Sequence, residues 1–165
     1  MKKIAVLGVG LVGKAIAIDL SKSFDVTSID INPSNLEKLQ KYSKIKTIIA
    51  DLSDTNEFKD AVKDFDLLIG CLPGYMGFEA VKQAILAGKN IIDISFFRQD
   101  PFELDELAKE HNVTVIVDAG VSPGMGNIIL GYHNAKMKVN SYKCYGGGLP
   151  FKREWPYEYK AVFSP

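Results

Sequence analysis

Apolar residues along this chain fall into short continuous runs, and between the runs they recur every three or four positions. Lys3 to Leu7, Asp25 to Asp30, Lys46 to Ala50, Phe65 to Gly70, Asn90 to Ser95 and Val113 to Val117 are the runs. Their length and near-continuous apolarity predict strands covered on both faces of a sheet. Lys14 to Leu20, Pro33 to Lys41, Asn56 to Lys63, Tyr75 to Ala87, Pro101 to Glu110 and Ile128 to about Asn134 carry the longer period and predict helices. In the second helix Leu36 and Leu39 share a face, with Asn32 as cap and Pro33 at the first helical position. Phe58 and Val62 face the core from the third, and Phe78, Val81, Ile85 and Leu86 from the fourth, which Gly88 stops. Such alternation predicts an α/β fold, a doubly wound parallel sheet of order 3-2-1-4-5-6.

The pattern changes beyond His133. Met137 to Cys144 predicts one more strand, Gly146 to Pro150 a turn-rich break, and Phe151 to Pro165 is aromatic, charged and aperiodic. The expected organisation is a first domain over 1–133 and the beginning of a second over 134–165.

Chemistry concentrates at the first strand–helix turn, Gly8-Val9-Gly10-Leu11-Val12-Gly13. Gly8 permits a tight turn out of the strand, Gly10 lets a pyrophosphate approach the backbone, and Gly13 lets the helix pack against the sheet. Unpaired N–H groups and the positive end of the helix dipole complete a phosphate site. Asp30 lies 17 positions after Gly13, at the end of the second strand, where a carboxylate accepts hydrogen bonds from a ribose diol. Strand, turn, helix and distal acid together predict a Rossmann dinucleotide site; a βα turn with a surface acid is the bland alternative. Asp30 repels a 2′-phosphate and residues 31–35 hold no arginine, which favours NAD over NADP unless a distant cation such as Lys38 reaches in. Asp51 and Leu52, after the third strand, either border an adenine ring or turn the chain with Ser53 and Asp54 to cap the next helix. Cys71, Leu72 and Pro73, after the fourth strand, line the path to the nicotinamide, with Cys71 a small wall rather than a nucleophile.

Hydrophobic content of 47% and charged content of 24% describe a globular protein with a buried core. Twenty basic and twenty acidic residues cancel, so neither nucleic acid nor a membrane surface is an expected partner. The opening apolar run is too short for a secretory signal, and no run suits a bilayer span. Two cysteines make neither a disulfide framework nor a metal cluster. A cytoplasmic setting and no metal are expected.

Four stretches carry a family resemblance: Gly8 to Gly13; Asp93-Ile94-Ser95-Phe96; Asp118-Ala119-Gly120-Val121-Ser122-Pro123-Gly124-Met125-Gly126-Asn127; and Gly147-Gly148-Leu149-Pro150 with Tyr159 to Pro165. The first is generic to dinucleotide folds; the last two are more specific. The chain resembles the saccharopine reductase and lysine 6-dehydrogenase family of NAD(P)-dependent amino-acid dehydrogenases, closer to the lysine-dehydrogenase-like branch. The resemblance implies a hydride passing between nicotinamide and the carbon bearing an amino group, through an imine, with a second domain for substrate and dimerisation. The sequence ends where that second domain begins, which implies a fragment, a split gene or a half supplied by another chain.

Amine oxidation needs a base. Asp93, Asp118, Tyr159 and Lys160 are the candidates, with strand-end turns or caps the alternative for the two acids and a solvated surface position for Lys160. His111 and His133 flank helix ends as ordinary polar positions. No catalytic residue is assigned. The leading expectation is the cofactor-binding part of an NAD-dependent dehydrogenase acting on the CH–NH group of a small-molecule amino-acid substrate, saccharopine or lysine 6-dehydrogenase-like. The alternatives are a stand-alone NAD(P)-binding regulatory or redox-sensing module without turnover, and a different ketone or imine reductase. The aromatic tail predicts self-association as a homo-oligomer, a dimer in the simplest case.

Overall fold

The computed structural model describes residues 2–145 together with Lys152, Glu154 and Trp155. Six strands, β1 Lys3–Leu7, β2 Asp25–Asp30, β3 Lys46–Ile49, β4 Leu67–Gly70, β5 Asn90–Asp93 and β6 Val115–Ile116, form one sheet of order β3-β2-β1-β4-β5-β6. Every pairing is parallel. The helices are α1 Leu11–Leu20, α2 Pro33–Gln40, α3 Thr55–Val62, α4 Gly74–Leu86, α5 Asp105–Glu110 and α6 Gly126–Asn134.

Alternation along β1 builds two cores. Ile4 and Val6 pack with Ala17 of α1 and Leu36 and Leu39 of α2, while Ala5 and Leu7 pack with Phe58 of α3 and Val81 and Ile85 of α4. A strand buried on both faces must be apolar at every position, hence the continuous runs in the sequence. The register Leu7↔Gly70 and Leu7↔Ile29 brings the ends of the three central strands level, so the loops after β1, β2 and β4 open on one edge of the sheet.

Several expected elements are shorter or differently built. Phe65 closes the turn after α3, its N–H donating to the Val62 carbonyl, so β4 starts two residues later than the apolar run. β5 stops at Asp93 because Asp93 accepts from the Ser95 N–H and redirects the chain. The helix expected over Pro101 to Glu110 divides into a 3₁₀ turn, Pro101–Leu104, capped by Asp100, and then α5. Leu86 does not face inward: it is 44% exposed, because 100° per residue carries it past the stripe of Val81, Ala84 and Ile85. Residues 137–144 form no strand; the described chain offers them no ladder, and the Tyr142 hydroxyl instead donates to the Gly126 carbonyl.

By internal packing the chain divides into two units, Met1–Asp118 and Ala119–Pro165. The first holds the whole sheet. The second holds α6, which the expected 1–133 domain would have kept with the sheet. The expected break at 146–150 and most of the tail, including Tyr159 and Lys160, lie outside the described residues.

Candidate functional site

The turn from β1 into α1 is shaped by what its glycines lack. Gly8 has φ +89°, in the left-handed region, and a Cβ there would come within 2.7 Å of the Cys71 carbonyl oxygen. A Cβ on Gly13 would run into the Gly8 carbonyl oxygen, so α1 lies directly against the turn. At Gly10 a Cβ would meet nothing within 4 Å. Gly10 therefore faces open space, on the side where the first N–H groups of α1 lack helical partners. This cradle fits a pyrophosphate: donors without partners, a helix N-terminus and no side chain in the way.

Asp30 ends β2 beside the cradle, 7% exposed. Its Oδ2 accepts from the Val9 N–H at 2.7 Å and from Asn35 Nδ2 at 3.2 Å, and its Oδ1 accepts from the Asn32 N–H at 2.7 Å. One carboxylate thus fastens the glycine turn to the loop that starts α2. That loop is capped as expected: the Asn32 side chain accepts from the Ser34 N–H at 3.0 Å, with Pro33 at the first helical position.

The loop after β3 does the work of a turn and cap. Asp51 Oδ1 accepts from the Ser53 N–H and hydroxyl, which holds its carboxyl below the usual range. Asp54 accepts from the N–H groups of Asn56 and Glu57, and Glu57 reaches back to the Asp51 N–H. Leu52 is 7% exposed within the core that holds Phe58, so its side chain is committed inward.

After β4, Cys71 and Leu72 are half-buried and Pro73 exposed. Burial pushes the Cys71 thiol up to about 12, with the Asp93 charge adding to it, so the thiol stays protonated at neutral pH. Asp93 is fully buried at the end of β5. Its Oδ1 accepts from the Ser95 N–H at 2.8 Å and from the Ser95 hydroxyl, while its Oδ2 has no hydrogen-bond partner among the described residues. A Cβ at Gly70, its register partner, would strike that oxygen, so the strand glycine makes the room the carboxyl occupies. Burial raises this carboxyl to about 6, against the lowering effect of its Ser95 hydrogen bonds. Asp118 is exposed at the end of β6, with φ 51°. His111 closes α5 and His133 sits in the last turn of α6, both exposed. Among the described residues no group of His, Cys, Asp and Glu is arranged to hold a metal ion.

Of the residues expected at the site, the structure brings together Gly8, Gly10, Gly13, Asp30, Cys71 and Leu72. Leu11 and Val12 lie in the first turn of α1 with their side chains exposed. The sequence did not single out Asn35 or the Val9 N–H. The only hint was that Asn35 stands three positions after the Asn32 cap, within a turn of Asp30.

A six-stranded parallel sheet with this order, a glycine cradle at its first crossover and an acid ending its second strand define a nicotinamide-dinucleotide-binding Rossmann domain. Residues 4–116 match the family described as saccharopine dehydrogenase NADP binding domain, and the chain belongs to that family. Saccharopine dehydrogenase (NADP+, L-glutamate-forming) of Pyricularia oryzae is 28% identical over 156 residues, covering 90% of this chain and 35% of the relative. The mitochondrial alpha-aminoadipic semialdehyde synthase of Bos taurus is 29% identical over 175 aligned positions, covering 99% of this chain and 19% of the relative. The solved apo saccharopine dehydrogenase (L-Glu forming) of Saccharomyces cerevisiae superposes with a TM-score of 0.70 at 25% identity, over 82% of this chain and 32% of that one. The chain therefore spans about a third or less of the length of these relatives.

Proposed function

We propose that the chain is the NAD-binding part of a dehydrogenase acting on the CH–NH group of an amino acid, of saccharopine or lysine 6-dehydrogenase type. The supporting observation is the pairing of the Gly8–Gly13 cradle with the Asp30 carboxylate, within a family whose description names saccharopine dehydrogenase. The dinucleotide, when bound, supplies the hydride acceptor or donor. The chain's own residues do the binding: the start of α1 receives the pyrophosphate, Asp30 receives the ribose, and Cys71, Leu72 and Pro73 wall the path between the β1 and β4 ends. Asp93 is the buried acid nearest this wall in sequence register, at the level of Gly70.

The family and its fungal member carry NADP in their names. Asp30 separates this chain from that cofactor. Two unit charges about 4 Å apart repel by about 4 kcal/mol near a protein surface, and a ribose phosphate carries more than one. No arginine lies between Ile31 and Asn35 to offset this, and Lys38 is an exposed residue of α2.

Calorimetric titration of the chain with each nucleotide tests the proposal. NAD should bind with a micromolar-range Kd and NADP at least ~10-fold more weakly, about 1.4 kcal/mol. NADP binding as tightly as NAD would remove the role given to Asp30. Adding lysine and saccharopine to the NAD complex then tests the substrate class. Turnover of either supports the dehydrogenase reading, while nucleotide binding without turnover fits both a cofactor-binding part lacking its substrate half and a regulatory module.

A further inference from the structure

We infer that Asn35 is part of the nucleotide site, its amide taking one hydroxyl of the adenosine ribose while Asp30 takes the other. This inference rests on the dinucleotide reading and deepens it. A carboxylate offers about four acceptor positions, two on each oxygen. Protein N–H groups fill three of those on Asp30: Val9 and Asn35 Nδ2 on Oδ2, and Asn32 on Oδ1. One position on Oδ1 is left, enough for one hydroxyl donor and not for a diol.

The Asn35 amide is placed to supply the second acceptor. Asp30 as a carboxylate can only accept, so the amide nitrogen must be the atom that faces it, which fixes which way the group is turned. The amide oxygen, with two acceptor positions, is then the end of the planar group turned away from the Asp30 carboxylate, on a half-buried residue. Asn32, the other amide in this loop, is occupied by the Ser34 N–H as the α2 cap. A neutral amide next to an acid also gives no compensation to a 2′-phosphate, so the pair selects for a free diol.

The test is a titration cycle between protein variant and ligand. The unsubstituted chain, Asn35→Ala and Asn35→Ser are titrated with NAD, 2′-deoxy-NAD and 3′-deoxy-NAD, the deletions being in the adenosine ribose. Thermal melts of the three proteins check that the first turn of α2 survives. The expected result is a roughly 10-fold loss of NAD affinity in both variants. One of the two deoxy analogues should then bind the variants no worse than NAD does, because the hydroxyl it lacks has already lost its partner. The other should keep its full penalty, reporting Asp30. If Asn35 only steadied Asp30, both analogues would keep their penalties in the variants, and the inference falls. It falls as well if the variants bind NAD within twofold of the unsubstituted chain. Failure of the unsubstituted chain to bind NAD at all would overturn the dinucleotide reading itself, and the inference with it.

Discussion

Gly10 and Gly13 stand three positions apart and should fail differently when given a side chain. A methyl group at Gly10 meets nothing within the protein, so Gly10→Ala should leave the melting temperature nearly unchanged while weakening nucleotide binding by ~10-fold or more. Gly13→Ala drives the methyl into the Gly8 carbonyl and should destabilise the fold by ~1–3 kcal/mol. Paired melts and titrations check both; equal thermal penalties would contradict the open face assigned to Gly10. Asp93 is the second residue with a measurable signature. Its folded value of about 6 lies above the ordinary 3.8, so the folded state favours the protonated acid. Below about pH 4 the residue costs nothing; between 4 and 6 the unfolded chain ionises first and stability is lost; above 6 the loss is constant, about 3 kcal/mol. Denaturation of Asp93→Asn and the unsubstituted chain at several pH values should show their stability difference moving by about that amount in favour of Asn as pH rises. A difference independent of pH would show the carboxyl to be ordinary. The acids themselves were legible in the sequence. That Asp93 is buried on Gly70, and that Asp30 is three-quarters satisfied by protein donors, was not, because both depend on the strand and loop brought opposite by the sheet.

At the scale of elements, local chemistry was the most readable part. Asn32 and Asp54, both read as caps from the sequence, each cap the helical segment that follows, accepting N–H groups within three residues. Asp100, which the sequence did not single out, does the same. Such contacts need no partner from elsewhere in the chain, so sequence spacing suffices to see them. Asp54→Ala should therefore cost ~1 kcal/mol in chemical denaturation, with the slope of the transition unchanged. A cost below a few tenths would mean that Glu57 and the surrounding backbone compensate. Where the sequence misled, a distant partner decided. Met137 to Cys144 has a strand's composition, but a strand exists only when another backbone runs beside it. Leu86 belongs to an apolar stretch, yet helix rotation carries it off the face that Ala84 and Ile85 present to the core. The same logic shortened β4, β5 and β6: apolar residues continue past each ladder, but ladder bonds end where turn contacts begin.

At the scale of the whole molecule, Ile128, Ile129 and Tyr132 lie at helical spacing along α6, with Met125 just before its start, each 46–60% exposed. Val121 and Met137, which flank this stretch in sequence, are 75% and 58% exposed. Tyr145 and, in the described part of the tail, Trp155 are 90% and 88% exposed. Apolar surface of this kind is uncommon on an isolated globular chain. The 165-residue chain should accordingly self-associate with rising concentration in sedimentation velocity, and Ile128→Asp should shift it toward monomer. A single monomeric boundary at high concentration would sink this expectation. Among the described residues no helix is long and apolar enough to cross a membrane.

The sequence by itself determined the succession of strands and helices, the helix caps, the glycine cradle and the acid that ends β2. Each of these follows from covalent neighbours or from a period repeated over a few residues. It also determined the sheet order, because right-handed crossovers between parallel strands leave few arrangements for this alternation. Only the tertiary structure decided how long each strand is, which acids are buried, and which donors surround Asp30. Those outcomes rest on groups far apart in sequence being brought within hydrogen-bonding distance. Val9 and Asp30 are 21 residues apart along the chain and 2.7 Å apart in the fold.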